Sequence, residues 1–345
     1  MHAHLKTIGI AALATLAATA TTQTVSAQGQ TTLTVYTTTA SEDLGRYRDR
    51  FNKAHPNIRI NWVRDSTGTI AAKILAEKAN PQADVIHVLG ISELIRIAKE
   101  DLLLPYKPKG YDQIDAKFKD KVDPPLWSGL YAFEACLCYN TIEAKKKNLP
   151  RPTTWKELAD PIYKNHIVMP NPNSSGTGFM TISAWIQTWG EQETWSFLEK
   201  LHNNVSVYVH SGSAPCVMTA QGEFPISISF AFRGVKEKAK GAPIDIISPK
   251  EGLGWEANGV AIMKSTKKLE AAKILADWAL SEDAMKLYAE DYAVVGRPEF
   301  AKEIKFYPEK PLENMIKNDL YWASENYQRI VAEWQKRYDG KSAKK

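Results

Sequence analysis

Apolar and polar residues alternate over Thr32-Leu-Thr-Val-Tyr36, which predicts a half-buried strand, and the polar run Thr37-Thr38-Thr39-Ala40-Ser41-Glu42 ends it. Ser41 and Asp43 supply capping oxygens for a helix from about Asp43 to Ala54, and His55-Pro56 stops it. A second alternating run, Ile58 to Val63, is followed by Asp65-Ser66-Thr67-Gly68-Thr69 and a helical pattern from Ile70 to Ala79. Ala83 to Leu89 reads as a third strand. Strands alternating with helices predict a parallel α/β sheet whose loops gather at one edge, where such sheets bind ligands.

The pattern changes between Val122 and Tyr139, where Pro124-Pro125, Trp127 and Gly129 precede an apolar run from Leu130 to Tyr139. This run predicts a crossing into a second lobe, which begins a new α/β series: Ile167-Val-Met169, a helix after Ser174-Ser175-Gly176-Thr177-Gly178, and the run Phe224 to Phe232. The chain then returns through a strand at Gly259 to Met263 and an amphipathic helix at Leu269 to Leu280, and residues 311–338 read as helical. The expected organisation is a clamshell of two interleaved α/β domains joined by crossover strands near Leu130–Tyr139 and Glu256–Met263. Residues 28–134 form the first part of lobe 1, residues 135–257 form lobe 2, and residues 258–345 return to lobe 1 with the C-terminal helices.

Composition fits this picture, since 345 residues with 44% hydrophobic content exceed what one core of roughly 250 to 300 residues accommodates. The 44 Lys+Arg against 39 Asp+Glu give a net charge of +5 spread through mixed-sign stretches, which argues against nucleic acid as a partner. Lys6, the apolar stretch Ile8 to Ala20 and the small-residue site Val25-Ser26-Ala27 read as a signal peptide over residues 1–27, cleaved after Ala27. No later apolar run is long enough to span a bilayer, so a soluble, exported, periplasmic protein is expected. An oxidising compartment permits a disulfide. Cys136 and Cys138 share one face of a strand and suit bridging each other poorly, Cys216 can pair with either, and a buried free thiol is equally open.

The chemistry concentrates in three loops. Pro170-Asn-Pro-Asn-Ser-Ser-Gly-Thr-Gly178 opens a helix with hydroxyls and unpaired N–H groups, and the helix dipole adds about half a positive charge, so an oxyanion can be held there without a lysine. No Gly-Lys-Ser/Thr ends the loop, which excludes a Walker loop. Asp65-Ser-Thr-Gly68 and His210-Ser-Gly-Ser213 have the same character, and closure of a clamshell would bring all three together. Glu42, Asp65, Glu134 and Glu256 are candidates to meet a cationic group. Trp255, Phe230 and Phe232 are either core or a desolvating pocket wall. His55, His87, His166, His202 and His210 show no metal-ligand spacing, His87 reads as a core histidine, and no GxSxG occurs. No catalytic residue, metal or cofactor is therefore assigned.

The phrases Trp62-Val-Arg-Asp-Ser-Thr-Gly68 and Ala76-Glu-Lys-Ala-Asn-Pro-Gln-Ala-Asp-Val85 resemble those of the solute-binding proteins of ABC importers, within the iron(III)/phosphonate group. Met169 to Gly178, His210 to Cys216 and Pro249-Lys-Glu-Gly-Leu-Gly-Trp255 are most similar to the 2-aminoethylphosphonate-binding proteins of that group. The resemblance implies a type II-like periplasmic binding protein, monomeric, not an enzyme, that carries one small ligand to an inner-membrane ABC permease. Iron-binding relatives use a tyrosine pair on a second-lobe strand end, where this chain has Ser229-Phe230-Ala231-Phe232, so the hard oxygen donors that ferric iron needs are missing. By the resemblance, a phosphonate would sit on Ser66, Thr67, Ser174, Ser175, Gly176, Thr177 and Ser211. Its ammonium end would meet Glu42, Asp65 or Glu256, with Trp255, Phe232 and Thr39 completing the pocket. Another anionic solute, iron(III) or a secreted phosphoester hydrolase are the alternatives.

Overall fold

The structure, a computed structural model, describes His2, residues 30–292 and residues 294–344; the expected cleavage site after Ala27 lies outside the described residues, as does all of the signal peptide except His2. The first lobe is built as the periodicity predicts, with β1 (Thr31–Thr37), α1 (Leu44–Ala54), β2 (Ile58–Arg64), α2 (Thr67–Ala76), β3 (Val85–Gly90) and α3 (Ile91–Lys99) in succession. β1 lies between β2 and β3 and is parallel to both. Loops that leave the carboxyl ends of these strands therefore share one edge.

β4 (Ser128–Asn140) is the longest strand, and every one of its residues is buried. The second lobe follows: α4 (Thr141–Lys146), β5 (Ile167–Pro170), α5 (Gly176–Trp189), α6 (Glu191–Asn204), β6 (Val205–Val209), α7 (Ala214–Ala220), β7 (Ile226–Phe230), α8 (Ala231–Ala239) and β8 (Ile244–Ile247). The chain then forms β9 (Trp255–Ile262), α9 (Leu269–Ala279), α10 (Glu282–Tyr288), β10 (Val294–Val295), α11 (Pro311–Asn314) and α12 (Leu320–Tyr338). The strand order is β2-β1-β3-β9-β4-β7-β5-β6, with β8 and β10 also pairing β4.

β4 belongs to both lobes. Its first half pairs antiparallel with β9, and its second half pairs with β7 and β8. The core divides at the same place: Leu130, Tyr131 and Ala132 pack in one hydrophobic cluster, while Phe133, Ala135 and Leu137 pack in another. A second crossing lies between Leu253, in the second core, and Trp255, in the first.

The C-terminal region departs from the division expected from the sequence. Ala323, Tyr327, Ile330, Val331, Trp334 and Tyr338 lie on one stripe of α12 and pack into the second core, so this helix completes lobe 2 instead of lobe 1. Residues 311–319 make a third crossing. A bridge joins Leu253 to Met315, and Gln187 Nε2 donates to Asn318 Oδ1 at 2.7 Å. Amphipathic spacing predicted the helix, but it carries no record of which core the stripe meets.

Cys138 and Cys216 form a disulfide between β4 and α7, with Cα atoms 5.6 Å apart, and Cys136 is a buried free thiol. No helix among the described residues is long and apolar enough to cross a membrane.

Candidate functional site

A cleft runs between the lobes, and the first turns of α2, α5 and α8 open into it. Ser66 occupies the extended N-cap position of α2, which starts at Thr67, three residues before the helix expected from periodicity, so Ser66, Thr67 and Gly68 are its cap and first turn. Ser175, not Ser174, is the N-cap of α5 and accepts the Gly178 N–H on its hydroxyl. First-turn N–H groups have no partner within their helix. Gly68 N–H donates across the cleft to the Ser174 carbonyl at 3.0 Å. Those of Thr67, Gly176 and Thr177 meet no acceptor among the described residues.

The lobes are closed on each other. Besides the Gly68–Ser174 bond, His210 Nε2 lies 2.8 Å from Asp65 Oδ1, Arg233 Nη2 donates to Glu42 at 2.7 Å, and Lys236 Nζ reaches Asp43 at 2.7 Å. The approach requires glycine: a Cβ on Gly68 would lie 2.2 Å from the Asn173 carbonyl oxygen, and one on Gly176 would lie 2.7 Å from the Thr67 hydroxyl. The cavity that remains measures about 80 Å³. At roughly 10–15 Å³ for each water-sized position, this is room for a phosphoryl group and several further heavy atoms.

Of the residues singled out in the sequence, Thr39, Ser66, Thr67, Ser175, Gly176, Thr177, Ser211 and Phe232 line this cavity. Ser174 does not line it, because its hydroxyl donates to the His210 carbonyl at 2.9 Å. The expected carboxylates are engaged elsewhere. Glu42 is paired with Arg233 at the rim; burial raises its pKa, but its backbone hydrogen bond and Arg233 outweigh that and hold it below the usual value. Asp65 is likewise lowered against a burial effect, by His210 and by the Ser66 N–H. Glu256 is fully buried beneath the cleft, bonded to the Ser92 hydroxyl and the Ala257 N–H, and burial pushes it up to about 7. Glu134 is similarly buried, receives the Tyr307 hydroxyl and is pushed up to about 7. Trp255 lines a different cavity, and its indole N–H donates to the Ile316 carbonyl.

The sequence reading missed the cations. Arg233, in the first turn of α8, lines the cavity with its side chain only 5% exposed. Burial lowers its pKa, and Glu42 and Glu237 more than restore it, so the guanidinium stays charged. Its Nε has no hydrogen-bond partner among the described residues. Arg64 stands at the end of β2 and donates to the Thr39 carbonyl at 3.1 Å. Tyr131 and Tyr292 stack with ring centroids 3.8 Å apart, and Phe232 lies 4.4 Å from Tyr292; together they make the apolar wall. Val88, at φ 63, holds a backbone conformation rare for a β-branched residue, and its carbonyl takes both the N–H and the hydroxyl of Thr38. The signal for Arg233 was present in Phe230-Ala-Phe-Arg233, because a cation is disfavoured at a helix start unless an anion compensates it.

Two arginines and three helix starts make an electropositive, hydroxyl-lined pocket, and none of its lining residues is acidic. Such a set binds an oxyanion. The Ser174 hydroxyl meets the backbone of His210 and not its ring.

Residues 80–314 match the family described as bacterial extracellular solute-binding protein. An uncharacterized protein of Haemophilus influenzae is 35% identical over 234 residues, which is 67% of this chain and 68% of that protein. A Salmonella typhi protein, provisionally named as a 2-aminoethylphosphonate-binding periplasmic protein, is 24% identical over 251 residues, or 70% of each chain. Among solved structures, the periplasmic binding protein AfuA of Actinobacillus pleuropneumoniae, with fructose 6-phosphate bound, matches with a TM-score of 0.84 at 29% identity. The match covers 90% of this chain and 99% of AfuA.

Proposed function

The chain belongs to the bacterial extracellular solute-binding protein family and is the periplasmic, solute-binding component of an ABC transporter; from that premise we propose that it captures a small organic phosphate with an uncharged polar body and delivers it to a membrane permease. One observation carries the proposal: the charged Arg233 and the open first turns of α2 and α5 line one cavity that has no acidic lining residue. The phosphoryl group sits at Thr67, Gly176 and Thr177, beside the charged Arg233. The body extends toward Thr38, Asn258 and Arg64, which offer hydrogen bonds but no negative charge. A sugar phosphate satisfies this description, and the likeness to a fructose 6-phosphate complex supports it.

A second reading, 2-aminoethylphosphonate, is favoured by the aromatic faces of Phe232, Tyr131 and Tyr292, which attract an ammonium, and by the small closed cavity. It lacks a free carboxylate, since Glu42, Asp65 and Glu256 are each already engaged. Calorimetric titration of residues 28–345 with fructose 6-phosphate, fructose, inorganic phosphate, 2-aminoethylphosphonate and ferric citrate separates the readings. Fructose 6-phosphate is expected to bind one per monomer, about 100-fold or more tighter than fructose, which lacks the charged group. Tighter binding of 2-aminoethylphosphonate would install the second reading. Binding of ferric citrate alone would discard both.

A further inference from the structure

A second cavity, of about 570 Å³, lies across the crossover strands from the cleft. Successive residues of a strand face opposite sides. On β4, Tyr131 and Phe133 face the cleft and Ala132 faces the second cavity; on β9, Asn258 faces the cleft and Trp255 the second cavity. Phe118, Trp127, Trp255, Met315, Ile316 and Tyr321 give it apolar walls, drawn from lobe 1, from β9 and from the strap of residues 311–321.

Its charge is one-sided. Lys117, Lys119, Lys121 and Lys317 stand around it. Lys119 is held by the Asp112 carbonyl and Lys121 lies over the Tyr321 ring at 3.7 Å. Lys117 and Lys317 are exposed and make no ion pair among the described residues. Asp319 is the one acidic lining residue, and its carboxylate is spent on capping α12 through the N–H groups of Tyr321 and Trp322. An apolar cavity of this volume is the size that takes a drug-sized ligand.

We infer that this cavity binds an amphipathic organic anion, a carboxylate on a medium-length acyl chain, with the chain against the aromatic wall and the carboxylate between Lys117 and Lys317. The site is distinct from the cleft and its occupant differs in class, because the cleft offers helix starts and hydroxyls where this cavity offers rings and aliphatic side chains. Docking of a second copy of the chain fits the lysine rim less well, since two such rims would face each other.

The test is calorimetric titration of residues 28–345 with dodecanoate, with dodecyltrimethylammonium as the probe of the same chain and opposite charge. One equivalent of dodecanoate is expected, unaffected by saturating fructose 6-phosphate. It should weaken about tenfold or more in the K117E/K317E double variant, and the cationic probe should bind about tenfold or more weaker than dodecanoate. Both lysines are exposed, so the variant is expected to fold, and unchanged binding of the cleft ligand verifies this. The inference is overturned by the absence of dodecanoate binding, by equal binding of both probes, by an unchanged affinity in the double variant, or by competition with fructose 6-phosphate. Sedimentation as a dimer that K117E/K317E disperses would assign the surface to a second copy.

Discussion

A guanidinium in the first turn of a helix meets the positive end of the helix dipole, and burial removes the water that would otherwise stabilise it. Arg233 accepts both penalties and is answered by Glu42 and Glu237, while its Nε still lacks a partner. An incoming phosphoryl group adds a further negative charge beside this guanidinium. Arg233→Met is expected to weaken binding of the organic phosphate about 10- to 100-fold in calorimetry, the worth of one or two charge-assisted hydrogen bonds. The Glu42 carboxylate left behind is 53% exposed and stays solvated, and Glu237, 10% exposed, keeps its pair with Lys240 at 3.0 Å, so the ligand-free melting temperature should change little. Glu42 competes with the ligand for Arg233, and Glu42→Gln is therefore expected to leave organic phosphate affinity unchanged or raise it a few-fold. A loss instead, confined to 2-aminoethylphosphonate, would show Glu42 reading an ammonium. The hydroxyl and glycine positions of this site were legible because Ser, Thr and Gly before an apolar run mark a helix start. The acidic candidates misled for the opposite reason: a glutamate letter does not distinguish a free carboxylate at a cleft from Glu256, sealed between β9 and α3.

The crossover strands carry an unusual load of buried acid. Glu134 on β4 and Glu256 on β9 are fully buried, and burial, opposed by hydroxyl and backbone N–H donors, pushes each up to about 7; Glu93 on α3 reaches about 7 for the same first cause, opposed by Arg96. In the unfolded chain a glutamate titrates near its ordinary value, about 4.3. Between the two values the folded protein holds more protons than the unfolded one, so stability falls as pH rises from about 4.5 to about 7 and is unaffected by these groups below that window. Glu134→Gln keeps an acceptor for Tyr307 and removes one titration. Denaturant midpoints at pH 5 and pH 8 should differ less in the variant than in the parent, with the gain appearing at pH 8. Parallel pH curves would mean that Glu134 is charged and solvated in the folded protein. The strands themselves were only half legible. The apolar run from Leu130 to Tyr139 predicted a crossing, but β9 begins at Trp255, four residues before the strand the pattern marked, because polar Glu256 and Asn258 interrupt the apolar run yet are buried.

Closure joins these levels, because the binding groups come from α2 in one lobe and from α5 and α8 in the other, and only the closed arrangement assembles them. The sequence announced two crossings and three hydroxyl loops, which is enough for a clamshell; it did not announce that residues 311–319 cross again or that α12 rests against α3 through Arg96, 4.2 Å from the Tyr327 ring. That contact depends on which core takes the apolar stripe of α12, a matter of tertiary competition and not of period. Gly68 isolates closure from folding. It sits in the first turn of α2, where alanine is the better helix former by about 0.5–1 kcal/mol, so lobe 1 should lose no stability in Gly68→Ala. In the closed form, however, the new Cβ would meet the Asn173 carbonyl at 2.2 Å, a backbone atom of the opposite lobe that cannot simply rotate away. Any closed population that falls tenfold raises the apparent dissociation constant tenfold, since only that state holds the ligand on both sides. Gly68→Ala is accordingly expected to keep the ligand-free melting temperature, lose about tenfold or more in affinity for the organic phosphate, and show less contraction on ligand addition in small-angle scattering. Full affinity with full contraction would mean that the ligand is held with the lobes further apart than in this structure, and that the contacts of Thr67 with the phosphoryl group must be reassigned.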